Sequence, residues 1–140
     1  MLSLDLANRL AFRTRAEGRR LNLAPLAVAV LDAGGNLVSF MREDKAGIGR
    51  FHLAFAKAWG SLGMGFGSRE LANRAAKNPV FVAALVDVTG GRAAPSPGGL
   101  LLLDADGGVI GAIGVSGDLG DQDERCAIIA IEDAGLRYSA

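Results

Sequence analysis

The sequence predicts a single α+β domain in which antiparallel strands pack against helices, and three observations carry that prediction. Two β-rich pairs share one hairpin design. Leu26 to Leu31 and Leu37 to Met41 flank Asp32-Ala-Gly-Gly-Asn36, and Leu100 to Leu103 and Val109 to Val115 flank Asp104-Ala-Asp-Gly-Gly108. Glycine and asparagine there supply the positive φ angles that tight reversals need. Helical periodicity comes before, between and after these hairpins, the pattern of an α+β sandwich. Finally, 140 residues, 50% of them hydrophobic, are enough for one substantial core and leave no need for a second domain.

Ser3 is positioned to cap a first helix with Leu4, Ala7, Leu10 and Ala11 on one face. Arg13, Arg15, Glu17, Arg19 and Arg20 crowd its end and read as a solvated face near a helix C-terminus. Pro25 closes the connection to the first hairpin. Asp44-Lys-Ala-Gly-Ile-Gly49 leads into a second helix, where Ile48, Phe51, Phe55, Ala58 and Leu62 repeat at helical spacing and His52 and Trp59 share a flank two turns apart. Gly60, Gly63, Gly65 and Gly67 predict fraying of that helix, because an interior glycine costs about 0.5–1 kcal/mol. Ser68 is read as the cap of a short helix through Arg74. Asn78-Pro79 opens another, with Val80, Phe81, Ala84 and Leu85 on its inner side. Thr89 to Gly99, interrupted by Pro95 and Pro97, is a loop or edge strand.

The charge balance excludes some partners. Lysine plus arginine and aspartate plus glutamate number 15 each, so overall charge steers the chain neither to nucleic acid nor to an anionic membrane. A mean hydropathy of +0.28 is high for a small soluble chain and predicts surface covered in a homo-oligomer. The start Met1-Leu-Ser-Leu-Asp-Leu-Ala lacks a signal-peptide pattern and no apolar run approaches ~18 residues, so a cytoplasmic location is expected. Cys126 is the only cysteine, which leaves no internal disulfide. No P-loop, zinc spacing, nucleophile elbow or dinucleotide fingerprint is present, and no standard catalytic constellation can be assembled.

The most informative segment joins the last long strand to the last helix. From Val109 to Val115 the residues are apolar and glycine-spaced, as in a buried strand that another backbone or a ligand approaches closely. Ser116-Gly117 breaks the run. Asp118, Asp121, Asp123 and Glu124 then crowd the start of a helix expected to reach about Tyr138, with Leu119, Ala127, Ala130 or Ile131, Ala134 and Tyr138 on its apolar face. Carboxylates stabilise the free N–H groups and positive dipole of a helix start. A helix start after a glycine loop can also hold an anionic ligand, for which these carboxylates compete.

Gly111-Ala-Ile-Gly-Val-Ser-Gly117, followed by Gly120-Asp-Gln-Asp123 and a C-terminal helix, resembles the signature of the GlcG/HbpS-like haem-binding family, which includes the C-terminal domain of PduO-type proteins. Val30-Leu-Asp-Ala-Gly-Gly-Asn-Leu-Val38 resembles its first hairpin, Ala56-Lys-Ala58 its central helix and Pro97-Gly-Gly-Leu100 the entry to its late hairpin. The resemblance spans nearly the whole chain. It implies a profilin-like antiparallel sheet covered by helices, and a haem or, as second candidate, a corrinoid as ligand.

His52, the only histidine, is the metal-ligand candidate: neutral imidazole binds haem iron, and Phe51, Phe55 and Trp59 offer a porphyrin an apolar cover. The other reading, and the plainer one, is a histidine on the margin of a packed helix, satisfied by one hydrogen bond. Met41 and Met64 are the soft alternatives, Met41 in strand alternation and Met64 in the glycine-rich turn. Cys126 is read as buried and inert. Lys57, Arg69 and Arg92, with Ser116 and the backbone from Gly114 to Gly117, outline a cleft for propionates or a small carboxylate. Three functions remain open: a haem-binding protein for sequestration or sensing, an enzyme or accessory protein acting on a small oxo- or hydroxy-acid, and a structural oligomer without ligand.

Overall fold

A computed structural model describes residues 1–140. Its frame is a five-stranded, wholly antiparallel sheet in the order β2-β1-β4-β3-β5, with helices on both faces. The two predicted hairpins supply four of the strands: β1 (Ala27–Asp32) and β2 (Leu37–Arg42), then β3 (Gly99–Leu103) and β4 (Val109–Ser116). The Asp32 carboxylate accepts from the Gly34 and Asn36 amides, and Asp104 does the same for Asp106 and Gly108, so both turns use one Asx device. β4 crosses over to pair with β1 and joins the hairpins into one sheet.

On one face lie α1 (Leu4–Arg20) and α5 (Gly120–Asp133). Ser3 caps α1 as expected, its hydroxyl accepting from the Leu6 amide at 3.1 Å. Leu10, Ala11, Cys126, Ala127 and Ile131 close the main core over Val28, Val30, Leu100, Leu102, Ile113 and Val115. The arginines at the end of α1 are more structural than a solvated face would be. Arg13 and Arg20 both bond the buried Glu17 carboxylate, and Arg19 pairs with the buried Glu43 at 3.2 Å. That placement follows from the chain having put carboxylates where only a partnered charge can stay.

The opposite face carries α2 (Gly49–Met64), and here the predicted stripe is rotated. Ile48 is 88% exposed, and Phe51, Phe55 and Leu62 are only half-buried. The face pressed on the sheet is Ala54, Lys57, Ala58 and Ser61. The sheet dictates this choice. A Cβ on Gly114 would stand 1.9 Å from the Ala54 carbonyl oxygen, and one on Gly99 2.2 Å from that of Lys57. The helix backbone therefore lies directly on glycines, with room for small side chains between.

α2 does not fray at Gly60, which packs against Ala93; it continues to Met64 and stops at Gly65 with φ 82°. Ser68 is not a cap: Gly67 takes that place before α3 (Ser68–Lys77), and the Ser68 hydroxyl accepts the Gly99 amide at 2.7 Å. α4 (Pro79–Val88) is capped by Asn78 as read, but its orientation is not the predicted one. Val82 is its one buried residue, while Val80, Phe81 and Ala84 face outward.

The last helix also ends earlier than Tyr138. Gly135 at φ 74° lets the Gly135 and Leu136 amides bond the carbonyls of Glu132 and Ile131, a Schellman closure that ends α5 at Asp133. The freed segment Arg137–Ser139 becomes β5, pairing with β3 at the sheet edge. Leu119, assigned in sequence to the apolar face, is 74% exposed at the cap position before the helix.

Candidate functional site

The predicted site residues separate into two groups on either side of α2's contact with the sheet. The first is exposed. His52 lies in the first turns of α2, open to solvent, and its ring nitrogens hydrogen-bond to no protein group. Its imidazole meets Phe51 edge to face at 5.3 Å, and Phe51 in turn contacts Phe40 at 4.8 Å and Phe55 at 5.8 Å. Phe40 stands on the edge strand β2 above Ala27, Ala29 and Ala54. The residues under Phe40 are thus small, whereas Phe55 and Trp59 pack on Leu31, Ala58, Leu101 and Ala112.

Trp59 lies two turns along the same flank, about 10 Å from His52 along the axis. The Arg92 guanidinium sits over its indole, 4.3 Å from the ring centroid, held by its Nε donating to the Thr89 carbonyl at 2.9 Å. A pocket of about 180 Å³ opens beside Trp59, floored by Gly34 and Gly35 of the first hairpin. His52, Trp59 and Arg92 therefore share one surface. Met64 does not join it: it lines a separate cavity of about 290 Å³ with Phe66, Leu71, Phe81 and Arg74.

The second group is buried. The Lys57 ammonium, 5% exposed, donates to the Val115 carbonyl at 2.8 Å and to the Asp123 carboxylate at 3.2 Å. The other Asp123 oxygen accepts the Asp118 amide at 3.0 Å, and Asp118 accepts the Ala24 and Leu119 amides. Burial lowers the Lys57 pKa and raises that of Asp123, to about 6, each change opposed by the partner's charge. Ser116 is buried at the end of β4 and accepts from Arg50 at 3.1 Å. Gly117 packs on the Pro25 carbonyl.

This arrangement does not provide the small-acid cleft outlined from sequence. Lys57 and Ser116 are buried at the end of β4, bonded to Val115, Asp123 and Arg50, while Arg92 lies out on the aromatic flank. Arg69 is spoken for as well, joining Asp121 and Glu124 and so tying α3 to the start of α5. The acidic helix start is consumed by the fold: Asp123 by Lys57, Asp121 and Glu124 by Arg69, Asp118 by loop amides. Cys126 is buried as expected, and burial pushes its thiol up to about 11. Sequence reasoning missed Phe40, whose place in a strand six residues before the second helix gave no sign of contact, and the Lys57–Asp123 link across 66 residues.

A single antiparallel sheet with helices on both faces, one of them seated directly on strand glycines, places the chain in the α+β class. Within that class the chain belongs to the HbpS-like family: the family model described as haem degrading protein HbpS-like matches residues 2–132. It is similar to the crystallised complex of PduOC with heme, with a TM-score of 0.88 and 26% identity over 99% of each chain. It is also similar to crystallised HbpS, with a TM-score of 0.80 and 28% identity, covering 94% of this chain and 89% of that one. An uncharacterized 15.0 kDa protein of the dhaT-dhaS intergenic region of Citrobacter freundii is 28% identical over 131 residues, 94% of this chain and 90% of that protein. No helix in the chain is long and apolar enough to cross a membrane.

Proposed function

We propose that this protein binds haem on the α2 flank, with His52 as the iron ligand, and that it acts as a homo-oligomer in haem sequestration or sensing. The observation that carries this reading is the exposed His52 imidazole, free of protein hydrogen bonds and standing on the Phe51 ridge. A haem site draws on an axial ligand for the iron, an apolar shelf for the porphyrin and cations for its propionates. His52 supplies the first, and Phe40, Phe51, Phe55 and Trp59 the second. Arg92 supplies the third, since its terminal nitrogens hydrogen-bond to no protein group. The residues present fit the group.

Bound haem would supply the redox and ligand-binding chemistry. The chain's own contribution is binding and orientation: α2 fixes the imidazole, Arg92 stacked on Trp59 holds a cation at a set place, and the alanines beneath Phe40 keep the shelf flat. Family membership and the heme complex of PduOC support the ligand class.

Titration of purified apo-protein with haemin, followed by absorbance beside a nonspecific carrier, tests the reading. Saturable binding with a defined Soret maximum is expected, lost in His52→Ala while the far-ultraviolet circular dichroism is kept. An unshifted Soret maximum in His52→Ala removes that residue as ligand, and binding no tighter than the carrier's removes haem.

A further inference from the structure

The cavity that Met64 lines, between α3 and α4, has no part in the haem flank. It measures about 290 Å³. Leu71 and Val82, 2% and 3% exposed, form its floor, and the half-buried Met64, Phe66 and Leu85 its walls. Phe81, 59% exposed, stands at the lip. An apolar cavity of about 150 Å³ already holds benzene, so this one has room for a ring and a short side arm. Two phenyl rings and a thioether in the lining favour an aromatic occupant.

The charged part of the lining is cationic throughout. Arg74 and Lys77 supply it, and no carboxylate joins them. The Arg74 guanidinium is stacked over Phe66, 4.2 Å from the ring centroid, while Glu70 lies 3.9 Å off, beyond a hydrogen bond. Lys77 has no ion pair within the chain. Both stand in the last turn of α3, where a cation is favoured, yet that placement leaves their N–H groups unspent. α4 starts at the same rim. Asn78 lines the cavity and accepts the Phe81 amide at 3.3 Å, and the first turn of α4 carries no acidic residue to offset its positive end.

We infer that this cavity is a binding site for a small aryl carboxylate, its ring on the apolar lining and its carboxylate at Arg74 and Lys77. Charge selects the acid: a guanidinium matches a carboxylate fork to fork, and a neutral ring would leave both cations unanswered. Size selects a single ring. The site is independent of the haem reading, since its lining shares no residue with the flank of His52, Trp59 and Arg92.

Backbone amide NMR shifts of the full chain on titration with phenylacetate test this, with phenylacetamide as the uncharged ring and acetate as the charge without a ring. Phenylacetate is expected to shift the amides of Leu71, Asn78, Val82 and Leu85 saturably, and acetate to leave them unmoved. Phenylacetamide is expected to bind about fivefold more weakly, the worth of a part-exposed charge pair. The double variant Arg74→Gln/Lys77→Gln, folded by circular dichroism, is expected to bind phenylacetate no better than wild type binds phenylacetamide, and His52→Ala to bind it as wild type does. Equal binding of phenylacetate and phenylacetamide overturns the carboxylate role of the two cations. Saturable shifts from acetate reduce the site to exposed cations and overturn the inference. An absence of saturable shifts at these amides overturns it as well, including where their dependence on protein concentration shows a second copy closing the cavity.

Discussion

The Lys57 ammonium lies 3.2 Å from the Asp123 carboxylate, and the two side chains are 5% and 1% exposed. This link joins the central helix to the start of the last one across β4, whose Val115 carbonyl takes the remaining contact at 2.8 Å. Removing one member strands a buried charge. Lys57→Met is therefore expected to lower stability by about 3–5 kcal/mol in urea unfolding. The double variant Lys57→Met/Asp123→Leu is expected to recover part of that loss, and a double variant as unstable as the sum of the singles would count against the coupling.

Acid titration separates two carboxylates of opposite sign. Glu17 is held down to about 2 by Arg20 and Arg13, below its ordinary 4.5. Its contribution is thus present above about pH 4.5 and lost as pH falls toward 2. Asp123 is raised by burial to about 6, from 3.8, so its contribution is full below about pH 4 and lost as pH rises through 6. Thermal melts from pH 2 to 7 are expected to show a flatter acid limb in Glu17→Gln and a flatter slope between pH 4 and 6 in Asp123→Asn. Curves parallel to wild type in both variants would contradict these assignments.

Gly114→Ala places a Cβ 1.9 Å from a helix carbonyl that cannot retreat without lifting α2. The expected cost is upward of about 3 kcal/mol, at the severe end of overpacking. Gly47→Ala, where a Cβ meets nothing within 4 Å, is the control and is expected within about 0.5 kcal/mol of wild type. Equal stabilities for the two variants would dismiss close seating of the helix.

Trp59 is the only tryptophan, and it lies on the flank assigned to haem. Its fluorescence is expected to be quenched by haemin in a saturable way at one equivalent per chain. His52→Ala is expected to turn this into weak, linear quenching, and Arg92→Ala to weaken saturation several-fold while keeping the Soret maximum. Saturable quenching that survives in His52→Ala would relocate the iron.

Much of the fold was legible because its signals are local. Asp32 to Asn36 and Asp104 to Gly108 carry their turn geometry in their own residues, and Ser3 and Asn78 are caps by side-chain chemistry alone. The misreadings have a common physical origin in partners distant along the chain. The face of α2 was misjudged because the strand glycines, Gly99 and Gly114, lie 42 and 60 residues beyond the helix residues they meet, and they admit alanines and exclude the phenylalanines that periodicity favours. α4 was turned the wrong way because an all-apolar helix has no intrinsic inner side. Lys57 looked available to a ligand until its partner, 66 residues away, was placed beside it. His52 and Trp59 were readable as one flank from their seven-residue spacing, whereas Phe40 needed the fold.

The seating of α2 on Gly99 and Gly114 separates two demands on one helix. Its inner side answers to the thickness of a backbone, so any side chain at either strand position would lift it. Its outward flank is free of that limit, and substitutions there change the surface without moving the frame.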